Sequence, residues 1–323
     1  MYQVRTYTSA DFEAWNAFVA QSRNGTFLFH RHFMEYHADR FQDASLCVEK
    51  NGQLCAVLPA HQVEEALYSH YGLTYGGLVL SKGLHFSEVL AIFKALLAYA
   101  ASQGFTTLYL KEIPPFYCCE FNGDLAYLMQ LCGAKIHRAD LLATVNLRQP
   151  LAISKTRRES IRRGQKNGLT IVEETHFEAF WHTLLIPNLR DRHQTQPVHS
   201  VEEITYLHQK FPKHIRHFNV YEGAQLVAGT TVFDTGRVAH PQYVAADQRR
   251  SETGALDFLY HHLITEVYAH CEVFDFGISN ENQGKQVNSG LQFWKESYGA
   301  QPVVQHYYQV PTAHHTHLSQ VLL

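Results

Sequence analysis

The feature that most constrains the fold is an internal repeat at about half the length of the 323-residue chain. Residues 53–56 (QLCA) in the first half match residues 225–228 (QLVA) in the second half. In each half this segment follows a turn that contains glycine, Asn51-Gly52 or Glu222-Gly223, between two short alternating runs. That pattern is typical of a β-hairpin. A repeat of this length predicts two copies of one structural module.

The predicted elements follow the same order in both halves. After the hairpin comes a strand, a long amphipathic helix, a buried strand, a short helix and a final strand. Apolar residues recur at helical spacing in residues 86–104 and 254–270, and each short helix ends in Gly-Ala. This order predicts an α/β fold with mixed sheets and helices. Pro150 interrupts the pattern at the joint, so we predict modules over residues 1–147 and 148–323.

Charge and cysteine usage exclude several classes of protein. A net charge of -3 argues against a chain that coats nucleic acid or an anionic membrane over its whole surface. We find no transmembrane segment and no secretory signal. The six cysteines show no CxxC spacing, which predicts reduced thiols and a cytoplasmic protein. The histidine clusters lack companion ligands at recognisable spacing, so we expect no native metal.

Three segments of the second half carry a resemblance to a known family. They are the basic helix at residues 154–171 (SKTRRESIRRGQKNGLTI), the strand at 273–279 (VFDFGIS) and the closing helix at 290–302 (GLQFWKESYGAQP). In the first half, residues 74–80 (TYGGLVL) are similar to the Gly-rich strand entry of the same family. The chain resembles the tandem-GNAT branch that contains the FemAB-like aminoacyl transferases and related acyltransferases. The resemblance implies two GNAT-like modules.

The resemblance also implies an activity, which is transfer of an activated acyl or aminoacyl group to an amine. The acceptor is a small molecule or precursor, such as a cell-envelope precursor. The donor is an acyl-CoA or an aminoacyl-tRNA, which makes tRNA a candidate partner. Such a reaction needs a polarised carbonyl and a protonated leaving group, but no covalent nucleophile. The alternative is a non-catalytic GNAT-like binding module. The sequence leaves the oligomeric state open.

Two residues are candidates for the chemistry. Lys295 stands four residues before Gly299, where many GNAT enzymes carry a tyrosine. The resemblance implies that it stabilises an oxyanion or a leaving oxygen, whereas a solvated lysine near a helix C-terminus is the other interpretation. Asp275 lies within an apolar strand. It either orients Lys295 or deprotonates the amine, or it faces solvent on an alternating strand.

The start of the second long helix is the implied donor site. In GNAT enzymes the donor pyrophosphate binds to free N–H groups there. The resemblance assigns this contact to four residues, which are Arg249, Arg250, Gly254 and Ala255. Glu252 replaces a glycine of the family pattern, and its carboxylate would crowd and repel a pyrophosphate. The other interpretation is a loop that caps a helix.

The acceptor site is predicted from charge and from the repeat. Arg158 and Arg162 are four residues apart, so they share a helix face that can hold one phosphate of an acceptor or of a tRNA, unless they form a solvated basic face. Equivalent strands of the two modules carry two pairs of aromatic residues. In the GNAT fold these strands line the groove, and we expect an acceptor groove between the modules. Otherwise these side chains belong to the core. The pairs are His70 with Tyr75 and His240 with Tyr243.

Overall fold

The computed structural model describes residues 1–323, with the backbone alone described at residues 192 and 193. The chain divides into two compact units. The first is Met1–Asp140 with Val304–Leu323, and the second is Leu141–Val303. Both units combine helices with sheets, as the predicted α/β class requires. None of the helices in the described part of the chain is long and apolar enough to cross a membrane.

The first half of the chain contains thirteen regular elements among the described residues. In chain order they are β1 (Tyr2–Thr6), α1 (Phe12–Gln21), α2 (Arg31–Glu35), β2 (Gln42–Asp43), β3 (Leu46–Lys50), β4 (Gln53–Leu58), β5 (His61–Val63), β6 (Ala66–Tyr68), β7 (Val79–Leu80), α3 (Phe86–Ser102), β8 (Thr107–Lys111), α4 (Gly123–Leu131) and β9 (Lys135–Asn146). The predicted order of hairpin, strand, long helix, strand, short helix and strand is therefore present.

The second half repeats this order behind an additional helical segment. Its elements are α5 (Lys155–Lys166), β10 (Thr170–Glu174), α6 (Glu178–Phe180), α7 (Ile186–His193), α8 (Val201–Lys210), β11 (Ile215–Glu222), β12 (Gln225–Asp234), β13 (Val238–Ala246), α9 (Arg250–Thr253), α10 (Ala255–His262), β14 (Val273–Ile278), β15 (Asn280–Glu281), β16 (Gln286–Val287), α11 (Ser289–Glu296) and β17 (Gln301–Pro311). A π-helical turn, Leu263–Val267, extends α10.

The first unit is built on the predicted hairpin and long helix. Asn51 and Gly52 both adopt the left-handed conformation that a tight hairpin turn requires, and they join β3 to β4. Helix α3 buries the apolar face that its spacing predicts, in a core shared with these strands. The buried side chains of that face are Val89, Ile92, Phe93, Leu96 and Leu97. Burial of such a face, about 25 cal/mol per Å² of apolar surface, is what holds an amphipathic helix in place.

The second unit contains a sheet in the order β10, β11, β12, β13, β14 and β9. The strands β11 to β13 form an antiparallel meander, and α10 crosses over from β13 to the parallel strand β14. The apolar side chains of α10 and its π-helical extension pack on the sheet, with Leu259, Leu263 and Ile264 fully or almost fully buried. The sheet therefore leaves the start of α10 beside the end of β13.

The closing strands explain why the compact units differ from the predicted modules at residues 141–147 and 304–323. The last part of β9, from Leu142 to Asn146, pairs with β14 in the second unit. The last part of β17, from Tyr307 to Pro311, pairs with β8 in the first unit. Backbone hydrogen bonding thus places the end of β9, from the first half of the chain, in the second unit. It places the end of β17, from the second half, in the first unit.

Candidate active site

A cavity of about 730 Å³ lies in the second unit. Its volume is in the range of sites that hold a small molecule or the end of a larger ligand. The lining combines cationic, acidic and apolar side chains. The charged ones are Arg157, Glu159, Arg163, Arg250 and Asp257, and the larger apolar ones are Leu189, Val244, Leu256, Leu291 and Trp294. Such a lining suits a ligand that is partly anionic and partly apolar.

Helix α5 supplies one wall. The Ser154 hydroxyl accepts the Arg157 N–H at 3.3 Å and so caps the helix start. Thr156, Ser160 and Arg163 follow at i, i+4 and i+7, so they share the face toward the cavity.

Two glycines fix the contact between α5 and the start of α10. A Cβ on Gly164 would lie 2.6 Å from Phe258 Cβ. A Cβ on Gly254 would lie 2.4 Å from the Ser160 carbonyl oxygen, and Gly254 also has a left-handed backbone with φ of 71°. Both positions therefore require glycine, which determines the rotation of α5 and hence the face that it turns to the cavity.

An ion pair joins three helices at the cavity wall. Arg157 donates from Nη1 to Asp257 at 2.6 Å and from Nε to the Ser297 hydroxyl at 2.9 Å. Asp257 also accepts from the Trp294 indole and the Tyr298 hydroxyl, each at 3.0 Å. The carboxylate is thus fully hydrogen-bonded, as a buried charge requires. This network holds α5, α10 and α11 together.

Lys295 lies close by on α11, with its side chain buried. Its residue is 3% exposed, and Nζ donates to the carbonyl oxygens of Gly277 at 2.9 Å and Ile278 at 2.6 Å. Burial lowers the pKa of the Lys295 ammonium to about 8, and the Asp275 carboxylate acts against this shift. The interpretation of Lys295 as a solvated helix lysine is therefore wrong.

Asp275 and His240 complete a cluster around Gly277. Asp275 is 1% exposed, which excludes the solvent-facing alternative. Its Oδ1 accepts the Gly277 N–H at 2.8 Å, and its Oδ2 lies 3.3 Å from His240 Nδ1. The register of β14 shifts between Asp275 and Ile278, and Gly277 is left-handed there. This irregularity turns consecutive carbonyl groups toward Lys295.

The cavity and the Lys295 cluster share helix α11. Leu291 and Trp294 line the cavity, whereas Lys295 points from the same helix toward the end of β14. An ammonium has three N–H groups, and carbonyl groups of the described residues accept two of them. The hydrogen bonds of the described residues give the third N–H no acceptor, and Lys295 itself is not among the residues that line the cavity. The arrangement can stabilise negative charge on oxygen.

The predicted donor residues are only partly at the cavity. Arg250 lines it, but the Arg249 guanidinium pairs with Glu222 at 2.7 Å and Asp247 at 3.4 Å. Gly254 contacts α5, and Ala255 is fully buried. Of the four residues that the resemblance assigned to donor binding, only Arg250 lines the cavity.

The N–H groups of the segment just before α10 donate within that segment. The segment forms the short helix α9, and the N–H groups of Glu252 and Thr253 donate to the Arg249 carbonyl. The N–H of Gly254 donates to the Arg250 carbonyl at 3.0 Å. Glu252 itself is exposed and does not line the cavity. The N–H groups of residues 252–254 are thus used within their own segment, and the Glu252 side chain does not reach the cavity lining.

The predicted acceptor residues lie apart from the cavity lining. Arg158 and Arg162 are exposed on the other side of α5, and Arg158 donates to the Ile153 carbonyl at 2.9 Å. Tyr243 is buried, with its hydroxyl 2.5 Å from His199 Nδ1 and its ring against Trp181. The Arg158–Arg162 pair is therefore an exposed basic face, and Tyr243 belongs to the interior of the second unit.

His70 and Tyr75 lie in the interior of the first unit. His70 packs among the rings of His37, Phe41 and His61, and burial lowers its pKa to about 2. The Tyr75 hydroxyl donates to Thr26 at 2.9 Å. The core interpretation therefore describes these two side chains.

Comparison with known proteins gives the class of protein. A family model described as an acetyltransferase (GNAT) domain matches residues 154–286. No curated protein matches the sequence. Three solved structures have the same fold. FemX is 11% identical over 96% of this chain and 98% of its own, with a TM-score of 0.67. The C-terminal domain of a putative lysylphosphatidylglycerol synthetase from Agrobacterium fabrum is 13% identical over 94% of this chain and 92% of its own, with a TM-score of 0.59, and a tandem GNAT protein from the clavulanic acid biosynthesis pathway is 12% identical over 97% of this chain and 99% of its own, with a TM-score of 0.50.

These findings confirm the resemblance that the sequence predicted. Residues 154–286 match the model of a GNAT acetyltransferase domain, and the chain as a whole has the fold of FemX and of the tandem GNAT protein. The chain is thus acyltransferase-like.

Proposed function

We propose that the protein transfers an aminoacyl group from an aminoacyl-tRNA to an amine of a cell-envelope precursor. The observation that carries the proposal is the buried Lys295 ammonium, which is held by two carbonyl groups on a helix that also lines a cavity of about 730 Å³. A fixed cation at such a place has a use in acyl transfer, where negative charge develops on the carbonyl oxygen.

Each residue of the cluster has a distinct part in the reaction. The acceptor amine attacks the donor carbonyl, and the third N–H of Lys295 donates to the oxygen that becomes negative. The new amide bond forms as the ester bond breaks, and the proton that the attacking nitrogen loses is taken up by the leaving ribose oxygen. Asp275 keeps Lys295 charged, because its carboxylate raises the pKa that burial lowers. His240 holds Asp275 in place.

The segment before α10 and the basic face of α5 favour tRNA over CoA as the donor. The N–H groups of residues 252–254 donate within their own segment, so they are not free to hold a pyrophosphate. The 3′ end of a tRNA instead presents a single-stranded backbone and a terminal aminoacyl ester. The exposed arginines of α5, Arg158 and Arg162, can contact phosphates of that backbone, while Arg163 and Arg250 line the cavity.

The solved structures with this fold support the same choice of reaction class. One of them is the C-terminal domain of a protein named as a putative lysylphosphatidylglycerol synthetase, a name that describes attachment of lysine to a lipid head group. The FemAB-like resemblance implies an amine acceptor on a cell-envelope precursor. An aminoacyl donor and an envelope acceptor are common to both.

The test compares donors and uses a matched lysine control. We expect product from a set of charged tRNAs and not from acetyl-CoA or longer CoA thioesters, with amine-bearing envelope precursors as acceptors. Lys295→Ala should remove the product, whereas Lys285→Ala, a change at an exposed lysine of the same unit, should not. Transfer from a CoA thioester that depends on Lys295 would overturn the choice of donor. Equal activity of Lys295→Ala and wild type would overturn the mechanism.

A further inference from the structure

A second group of polar side chains converges in the second unit, away from the cavity lining. Asp234 ends β12, while His270 and Cys271 lie just before β14. Their ligand atoms lie within 4.8 Å of one another. The Cys271 Sγ is 3.6 Å from His270 Nε2 and 4.0 Å from an Asp234 carboxylate oxygen. Three side chains with different metal-ligating atoms thus lie close to one another.

The distances fit a tetrahedral metal. Zinc lies about 2.3 Å from a cysteine sulfur and about 2.0–2.1 Å from a histidine nitrogen, which places the two ligand atoms about 3.6 Å apart in a tetrahedral site. The Sγ–Nε2 distance of 3.6 Å agrees with this value. The distance of 4.0 Å between Sγ and the carboxylate is longer than this value, so the Asp234 carboxylate must move toward the sulfur when the ion binds.

A second observation at the same place also indicates a ligand. The Tyr268 hydroxyl is buried and has no hydrogen-bond partner among the described residues. Asp234 and Cys271 both act electrostatically on this hydroxyl, so it lies within range of the group. A buried hydroxyl without a partner is costly. Water in the fourth position of a metal would give it that partner.

The surroundings also support a bound cation. Asp234 Oδ1 accepts the Gly236 N–H at 2.6 Å, which orients the carboxylate as the outer partners of metal ligands do. His270 is exposed, so an ion can enter from solvent, whereas Cys271 is fully buried.

We propose that Asp234, His270 and Cys271 bind one zinc ion. On binding, the Cys271 thiol loses its proton to solvent and a zinc–sulfur bond forms, with no change of oxidation state. The ion connects the end of β12 to the start of β14, the strand that carries Asp275 and Gly277. Its role is therefore to position that strand. Spacing did not reveal the site, because β13, α9 and α10 separate Asp234 from the adjacent His270 and Cys271.

The experiment uses the full chain after removal of metal with a chelator. Zinc is added back and measured by equilibrium dialysis with elemental analysis, and Co²⁺ serves as a spectroscopic probe. We expect one zinc per chain, a thiolate-to-cobalt absorption band, and a higher melting temperature with zinc. His270→Ala, at an exposed position, should weaken zinc binding more than about 100-fold, which exceeds the 10–100-fold typical of outer partners.

Two controls separate this site from other binding. Cys271→Ser should abolish the cobalt–sulfur band, whereas Cys132→Ser, at a buried thiol of the first unit, should leave it intact. His317→Ala should have no effect on the band, although it removes an exposed histidine that stacks on His314 and can bind metal adventitiously. Cobalt binding without a sulfur band, or zinc binding that responds to His317→Ala and not to His270→Ala, would overturn the proposal. Circular dichroism of each metal-free variant establishes that it is folded.

Discussion

Each unit has a lysine near the end of the strand that follows its long helix, the half-buried Lys111 in the first unit and the buried Lys295 in the second, but the surroundings differ. Lys111 ends β8, and its Nζ donates to the Leu73 carbonyl at 2.8 Å. Lys295 donates to two carbonyl groups at the end of β14. Burial lowers the pKa of both ammonium groups, to about 7 for Lys111 and to about 8 for Lys295. The two lysines are therefore similar in electrostatics.

The space beside the lysines is where the units differ. In the second unit the helix that carries Lys295 lines a cavity of about 730 Å³. In the first unit a cavity between β8 and α4, the counterparts of β14 and α11, measures about 20 Å³ and is lined by Leu110, Leu125 and Met129 among others. A volume of that size holds about one water molecule. A lysine with a lowered pKa is thus not sufficient to identify an active site. The two units are distinguished by the volume of the cavity lined by the neighbouring helix.

The largest expected effect tests this difference directly. Lys295→Ala should reduce aminoacyl transfer by about 100- to 1000-fold, the usual cost of removing one oxyanion donor. Lys111→Ala should change the rate less than about threefold in a protein that remains folded, because the cavity lined by its neighbours Leu110 and Glu112 measures only about 20 Å³. Single-turnover rates of both variants measure this. Equal losses would mean that both lysines serve the reaction.

The next effect concerns the ion pairs that each unit buries. Arg157→Ala leaves Asp257 without its cation, and Arg23→Ala does the same to Asp124, which Arg23 contacts at 2.8 Å. Breaking a buried pair typically costs about 3–5 kcal/mol. Denaturant unfolding should show destabilisation in both variants, but donor affinity should fall only for Arg157→Ala, which changes a cavity wall. Unchanged donor affinity in that variant would mean that the donor does not bind in the cavity.

A smaller effect concerns the pH dependence of stability, to which both lysines should contribute with the same sign. The folded-state pKa of Lys295 is lowered from 10.5 to about 8. Between these values the unfolded chain binds more protons, so stability rises with pH from about 8 to about 10.5. Lys295→Met should remove its part of this rise, and Lys111→Met should do so from about pH 7 upward. Unfolding free energies across pH 7–10 test this, and variants that keep the wild-type slope would contradict the burial of both ammonium groups.

The smallest effect concerns the exposed face of α5. If Arg158 and Arg162 contact tRNA phosphates, the double change to alanine should lower the slope of log affinity against log salt by about 1–2. Lys94→Ala, which removes a positive charge from helix α3 of the first unit, is the control. Measuring tRNA binding at several stated salt concentrations decides the point. An unchanged slope would remove Arg158 and Arg162 from the donor site.

Local patterns in the sequence predicted much of this molecule. Helical spacing identified the buried face of α3, and Asn51-Gly52 located the first hairpin. The position of Lys295 before Gly299 also led to a residue that is buried in a polar cluster. Each of these features depends on residues that are close in sequence, so the pattern contains the information.

Long-range packing accounts for the parts that were missed. The spacing of Arg158 and Arg162 is as helical as that of Thr156 and Ser160, and only the contact at Gly164 decides which face lines the cavity. The partners Arg157 and Asp257 are a hundred residues apart. The exchange of the closing-strand ends depends on backbone pairing that side-chain patterns do not encode.

The most direct measurement is a crystal structure with a stable analogue of an aminoacyl-adenosine, in which an amide replaces the ester. The account predicts that the adenosine occupies the cavity beside Trp294 and Arg250. It also predicts that the carbonyl oxygen lies about 2.7–3.2 Å from Lys295 Nζ, within hydrogen-bond distance. An analogue bound with its carbonyl away from Lys295, while Nζ contacts only Gly277 and Ile278, would contradict the central claim.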